Sequence, residues 1–215
     1  MGGRSLVLWA RAQAKRHPGA LCAASYAIGS VPFAQIAARR RAGVDLRRVG
    51  SGTVSGTSLY EVAGFAPLAA VGCCELAKGA CGPLLAGRDH LLLGSLAAAS
   101  AIAGHNWSPW IGFRGGRGVS LLLGAGAALA PETSALVGLA LGLGRLVHRS
   151  GAATFAALVA LPTLLAATRG RSGAAAGALL VVPMLAKRVL GNDNRIPASR
   201  AVLVERLVAD RDRRP

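Results

Sequence analysis

Residues 151–168 read Gly-Ala-Ala-Thr-Phe-Ala-Ala-Leu-Val-Ala-Leu-Pro-Thr-Leu-Leu-Ala-Ala-Thr, and residues 173–190 read Gly-Ala-Ala-Ala-Gly-Ala-Leu-Leu-Val-Val-Pro-Met-Leu-Ala-Lys-Arg-Val-Leu. Between them stand only Arg169, Gly170, Arg171 and Ser172. Each run approaches the ~20 apolar residues that a helix needs to cross a bilayer. Charge is confined to their edges, as expected when the middle of a segment lies in hydrocarbon and its ends in water.

Five more apolar runs precede this pair, at 21–38, 62–86, 90–107, 118–131 and 132–147. The last two abut at Pro131-Glu132 and could be mistaken for one long helix. Small residues dominate all seven runs, as close helix packing in lipid requires. The chain of 215 residues is 53% hydrophobic and 16% charged, with a mean hydropathy of +0.46. A soluble domain normally carries about 25% charged residues. The expected fold is therefore all-α, a polytopic membrane bundle of about seven short transmembrane helices. It divides into a basic N-terminal arm (1–20), a membrane domain (21–196) and a basic cytoplasmic tail (197–215). The apolar stretch of the arm, Leu6 to Ala10, is short and is followed by charge, unlike a signal peptide. Cys22, Cys73, Cys74 and Cys81 form no C-x-x-C pair and read as buried small hydrophobes.

The formal charge of +16 raises the question of nucleic acid. The basic residues, however, flank apolar runs, where they meet lipid head groups or phosphorylated substrates; no nucleic-acid partner is expected. With seven spans the loops alternate sides. Seventeen Lys/Arg then fall on one side and seven on the other, with Lys78 inside the second span. The positive-inside rule makes the richer side cytoplasmic, with the C-terminus inside and the N-terminus outside.

Three stretches offer chemistry. Residues 44–64 place Gly50, Gly52 and Gly56 among Ser51, Thr53, Ser55, Thr57 and Ser58, a set of backbone and hydroxyl donors for an anion, or else a flexible linker. Residues 104–120 place Arg114, Gly115, Gly116, Arg117 and Gly118 just before an apolar helix, offering guanidinium donors and a helix N-terminus to a phosphate. The G-x-x-x-x-G-K-[ST] spacing of a Walker loop is absent. Glu75 and Lys78, inside a span, form either a functional site or an internal ion pair at i, i+3. No histidine has an aspartate five positions on, so the H-x4-D acyltransferase signature is missing.

Taken in order, Tyr26-Ala-Ile-Gly-Ser30-Val-Pro-Phe33, Asp45-Leu-Arg47-Arg48-Val-Gly-Ser51-Gly52, Glu75-Leu-Ala-Lys78-Gly79 and Gly104-His105…Phe113-Arg-Gly-Gly-Arg-Gly-Val119 resemble the bacterial acyl-phosphate:glycerol-3-phosphate acyltransferase family over residues 21–196. The resemblance implies seven spans in a bacterial inner (plasma) membrane, with the motif loops cytoplasmic. It implies transfer of a fatty acyl group from acyl-phosphate to glycerol-3-phosphate, giving lysophosphatidic acid for phospholipid synthesis. It implies no metal and no other cofactor; the partners are the two substrates, membrane lipids and an enzyme that produces acyl-phosphate. The catalytic residues it suggests are Ser51, His105, Ser150 and Asn192. Phosphate binding falls to Arg47, Arg48, Lys78, Arg114, Gly115, Gly116, Arg117 and Gly118, with loop donors at Ser30, Thr53, Ser55 and Thr57. Arg188 matches the last motif.

The chain departs from the family pattern in several places: Ser55-Gly56 stands for Gly-Ala and Glu75 for an aspartate, and four further changes bear on the chemistry. Thr53 and Ser58 stand for asparagines, Glu61 for an arginine and Val189 for a histidine. The alternative function is therefore a weakened or inactive homologue that binds lipid or phosphate without acyl transfer.

Overall fold

A computed structural model describes residues 3–49 and 52–210; Ser51, a candidate catalytic residue, lies outside the described residues. Each of the seven apolar runs is helical. The first is α2 (Pro18–Ser30) and α3 (Phe33–Ala42), bent at Val31-Pro32, where proline cannot continue the ladder. The others are α5 (Phe65–Ala86), α6 (Leu91–Asn106), α7 (Val119–Leu129), α8 (Pro131–Leu146) and α9 (Ser150–Leu190). Flanking them are α1 (Gly3–Arg16), α4 (Gly56–Ala63) and α10 (Arg200–Val204), the last continuing as a π-helical turn at Glu205–Ala209. No strand occurs among the described residues.

The reversal read between residues 168 and 173 occurs inside α9. Gly170 there adopts φ 66°, ψ −153°, a backbone open to glycine and strained for any L side chain. The second leg packs back on the first, so that a Cβ at Gly177 would touch Pro162. The boundary near Pro131 is also a reversal: Ala130 leaves the helical region and proline opens α8. The resulting α7 has 11 residues, about 17 Å at 1.5 Å per residue, roughly half the hydrocarbon thickness. By length and composition, the α2–α3 unit, α5 and α9 are long and apolar enough to cross a membrane.

Ala101 and Ile102 of α6, Leu121 and Leu122 of α7, Leu158 and Leu161 of α9 pack into the largest buried cluster. Its helices approach closely where glycine removes the side chain. At the α5–α7 crossing a Cβ on Gly79 would fall on the Leu121 carbonyl, and one on Gly124 would fall on that of Leu76. The two glycines thus open the same crossing from both sides, as packing without a hydrophobic driving force demands. One expectation fails. The cysteines are not buried: Cys73 and Cys74 are exposed, and Cys22 and Cys81 partly so. In lipid an apolar residue gains nothing by turning inward, so apolarity alone did not decide which face packs.

Gly79→Leu is expected to destabilise the bundle by at least about 1–3 kcal/mol, the usual cost of overpacking. Gly138→Leu, where a Cβ meets nothing within 4 Å, is expected to be tolerated. Thermal unfolding of both variants in detergent measures the difference.

Candidate functional site

The chain builds its chemistry at one end of the bundle. The C-terminal ends of α6 and α8, the N-terminal end of α7 and both ends of α9 meet there. They meet because the reversal at Gly170 returns Arg188 to the neighbourhood of Ser150. A cavity of about 570 Å³ opens among these ends. Thr53, Ser55 and Thr57 line it from the hydroxyl-rich loop, and His105, Arg117, Gly118, Arg145, Ser150 and Arg188 from the helix ends.

Of its three arginines, Arg145 is exposed and two are buried. Arg117 is 7% exposed and Arg188 2%. The first donates through Nη1 to the Lys187 carbonyl at 3.0 Å, which ties the loop before α7 to the end of α9. The second donates through Nη1 to the carbonyls of Gly151 (3.3 Å) and Leu207. Its guanidinium also lies 6.0 Å from the centroid of the Phe155 ring. Both approach Asp210 of the tail: Arg117 Nε is 2.8 Å from Oδ1 and Arg188 Nη2 is 3.8 Å from Oδ2.

His105 enters the cavity from behind. Its Nδ1 is 3.1 Å from Oε2 of Glu75, and the same oxygen accepts from Lys78 Nζ at 2.8 Å. A carboxylate at Nδ1 keeps that nitrogen protonated and leaves Nε2 as the basic one. The Nε2 edge faces Gly116, where an added Cβ would overlap it and crowd the Val54 carbonyl. A Cβ on Gly115 would overlap the His105 carbonyl. These glycines therefore let the loop lie flat on the end of α6.

The structure divides the remaining candidates. Lys78 is buried away from the cavity, donating also to the Val31 carbonyl at 2.8 Å and lying 5.3 Å from the Phe33 ring centroid. Arg47 pairs with Asp45 at 2.6 Å and donates to the Ile111 carbonyl, pinning the loop to the turn at Pro109–Ile111. Hydrogen bonds from Arg47, chiefly, hold the Asp45 carboxyl far below the usual carboxylate range. Arg48 and Arg114 are exposed and do not line the cavity. Ser30 accepts from Trp110 Nε1 at 3.0 Å and donates to Ala27, a role within the turn. Asn192 reaches the site indirectly, donating through Nδ2 to Thr53 Oγ1 at 2.8 Å. Ser55 caps α4 by accepting from the Ser58 amide, and Ser150 opens α9. Glu61 and Val189 stand off the cavity. The sequence reading missed Arg145, Thr154 and Asp210 as lining residues. The first two occupy the helix ends beside Ser150, a proximity the loop lengths implied. Nothing in the pattern marked Asp210.

The fold is a helical membrane bundle with an arginine-lined cavity at the ends of its helices. The family model described as glycerol-3-phosphate acyltransferase matches residues 19–197. Glycerol-3-phosphate acyltransferase 5 of Dehalococcoides mccartyi is 32% identical over 204 residues, 88% of this chain and 86% of that protein. The glycerol-3-phosphate acyltransferase of Methylorubrum populi is 33% identical over 174 residues, 80% and 86% of the two chains. A crystal structure of PlsY (YgiH), an integral membrane glycerol 3-phosphate acyltransferase in its glycerol 3-phosphate form, superposes with a TM-score of 0.67. The two share 25% identity over 76% of this chain and 86% of that one. The chain belongs to the glycerol-3-phosphate acyltransferase family.

The Glu75 cluster yields a prediction. Glu75→Gln leaves the Lys78 ammonium buried with no counter-charge, a change that costs about 3–5 kcal/mol. Combining it with Lys78→Met removes the stranded charge and is expected to recover most of that loss in detergent unfolding.

Proposed function

We propose that the chain transfers a fatty acyl group from acyl-phosphate to glycerol-3-phosphate, releasing inorganic phosphate and lysophosphatidic acid. The observation that carries this is the convergence of Arg117 and Arg188, from two separate motifs, on one cavity. Membership of an acyltransferase family supplies the reaction class. Two fixed guanidiniums suit a phosphate dianion, which each can bind through paired N–H donors. The C1 hydroxyl of glycerol-3-phosphate attacks the acyl carbonyl carbon, and the bond from that carbon to the phosphate oxygen breaks. Binding both substrates in one cavity replaces a bimolecular encounter with an oriented one. The hydroxyl proton passes to a base; His105 is the imidazole that lines the cavity, with Nε2 left basic by Glu75. Ser150 and Thr53 supply hydroxyl donors, and Asn192 positions Thr53. Gly118 stands at the cap position before α7, whose N-terminal amides favour an anion.

In this reading the seven apolar runs are seven crossings of a bacterial inner membrane. The cavity end faces the cytoplasm, where seventeen basic residues gather and phosphorylated substrates are supplied. An enzyme making acyl-phosphate is the partner in supply. The departures at Glu61 and Val189 lie outside the cavity, which favours a working enzyme over a merely binding homologue.

Purified protein given acyl-phosphate and glycerol-3-phosphate is expected to form lysophosphatidic acid. Arg117→Gln should raise the KM for glycerol-3-phosphate roughly ten- to a hundredfold, the worth of one charged contact. Arg114→Gln should leave it within about twofold, since an exposed arginine off the cavity contributes little. Equal KM values for the two variants would place the phosphate elsewhere. For topology, a reporter active only in the cytoplasm should work when fused at the C-terminus, and a periplasm-only reporter should not.

A further inference from the structure

The tail does not dangle from the bundle. Arg206, 6% exposed, donates to the carbonyls of Leu190 (3.1 Å) and Arg195 (2.8 Å) and pairs with Asp193 at 3.1 Å. It thereby satisfies acceptors left over at the end of α9. A Cβ on Gly151 would meet the Ala209 carbonyl, so the tail lies directly on the start of α9. Anchored at both places, it delivers the Asp210 carboxylate between Arg117 and Arg188, inside the cavity. The family model's match ends at residue 197, before this segment begins.

We propose that Asp210 is a built-in competitor of the substrate phosphate, and that the tail sets the glycerol-3-phosphate concentration at which the enzyme works. The inference rests on the phosphate site argued above. A carboxylate and a phosphate cannot share the same two guanidiniums, because two anions at contact distance repel. Substrate must displace the tail, and its apparent affinity falls by the fraction of time that the site is open. A phosphate dianion exchanges one negative charge for two on the arginine pair and so competes effectively. A monocarboxylate gains no charge by the exchange. The tail thus admits phosphates and rejects carboxylate analogues of the same size, which makes Asp210 a specificity determinant as well as a brake. The displaced segment contributes no residue to the main buried cluster, so its release leaves that cluster intact.

The test compares wild type, Asp210→Asn, Asp210→Glu and Arg117→Gln in the full chain. With the tail seated about nine-tenths of the time, Asp210→Asn lowers the KM for glycerol-3-phosphate about tenfold and leaves kcat unchanged. Asp210→Glu keeps the charge and restores a KM near the wild-type value, which a purely structural role for the tail would not require. Inhibition by glycerate, the carboxylate analogue, should strengthen in Asp210→Asn relative to inhibition by inorganic phosphate. A second readout avoids turnover: in wild type, glycerol-3-phosphate should speed hydrogen exchange of the 200–209 amides. An unchanged KM in Asp210→Asn, or slower exchange on adding substrate, overturns the proposal. If Arg117→Gln still raises the KM in that case, the phosphate site stands and only the tail's role is wrong. If Arg117→Gln leaves the KM unchanged, both fall together.

Discussion

A carboxylate cannot stay ionised among apolar helices unless something beside it carries the opposite charge. Glu75 meets that demand with Lys78 one turn on and His105 from the neighbouring helix, all within about hydrogen-bonding distance of a single oxygen. The demand also spreads outward. Lys78 reaches the Val31 carbonyl where α2 gives way to α3, so the bend at Pro32 is tied to the middle of α5. His105 stands at the end of α6 and fixes how close the Arg-Gly-Gly-Arg loop can lie, which requires Gly115 and Gly116. That loop in turn places Arg117. One neutralised charge thus orders three helices and one side of the cavity. The pair that looks decorative in the sequence, two ionisable residues within a span, is the constraint from which the site is laid out.

The other side of the cavity is laid out by a reversal. Gly170 turns the longest helix back on itself, and the Arg169–Glu132 pair at 2.6 Å holds the turn against the start of α8. Two residues 38 positions apart, Ser150 and Arg188, then face one space. The two halves join where Arg117 donates to the Lys187 carbonyl. Lys187 is itself fully buried, donating to Phe113 and Asn194 and lying 5.7 Å from the Trp107 ring. Arginine and lysine therefore divide the labour: Lys187 closes the protein against itself, and the guanidiniums face the cavity.

Much of this is legible in the amino-acid sequence itself. The apolar runs give the helices because hydrocarbon leaves the backbone no partner but itself. The turn at 169–172 and the break at Pro131 follow from residues that end helices. The motif order picks out the loops that meet. What the pattern did not disclose is which arginines are spent on structure. Arg47, Arg114 and Arg117 look alike in sequence, yet Asp45 claims the first, solvent the second and the cavity the third. Arg47 is claimed by a neighbour two positions away, whereas Arg117 is placed by Lys187 and Asp210, dozens of residues on. The glycines of the Arg-Gly-Gly-Arg block were read as room for a phosphate; a Cβ on Gly115 or Gly116 would also collide with His105, a contact the pattern did not reveal. Cys73 and Cys74 were read as inward because apolar residues usually are, a habit that belongs to proteins in water. Asp210 was invisible for a simpler reason: it is one acid in a polar tail, and only its location gives it meaning.

The reversal in α9 also sets an order of events during synthesis. Up to Gly170, the emerging chain has placed Arg117, His105 and Ser150, but nothing yet stands opposite them. Arg188 arrives only at the end of the final leg of α9. In the proposed reading, a protein that acts on the precursors of the very lipid it is being inserted into passes through almost its whole assembly with one arginine of its cavity still missing. A chain that stops short of Arg188 has only one half of that cavity's buried arginine pair.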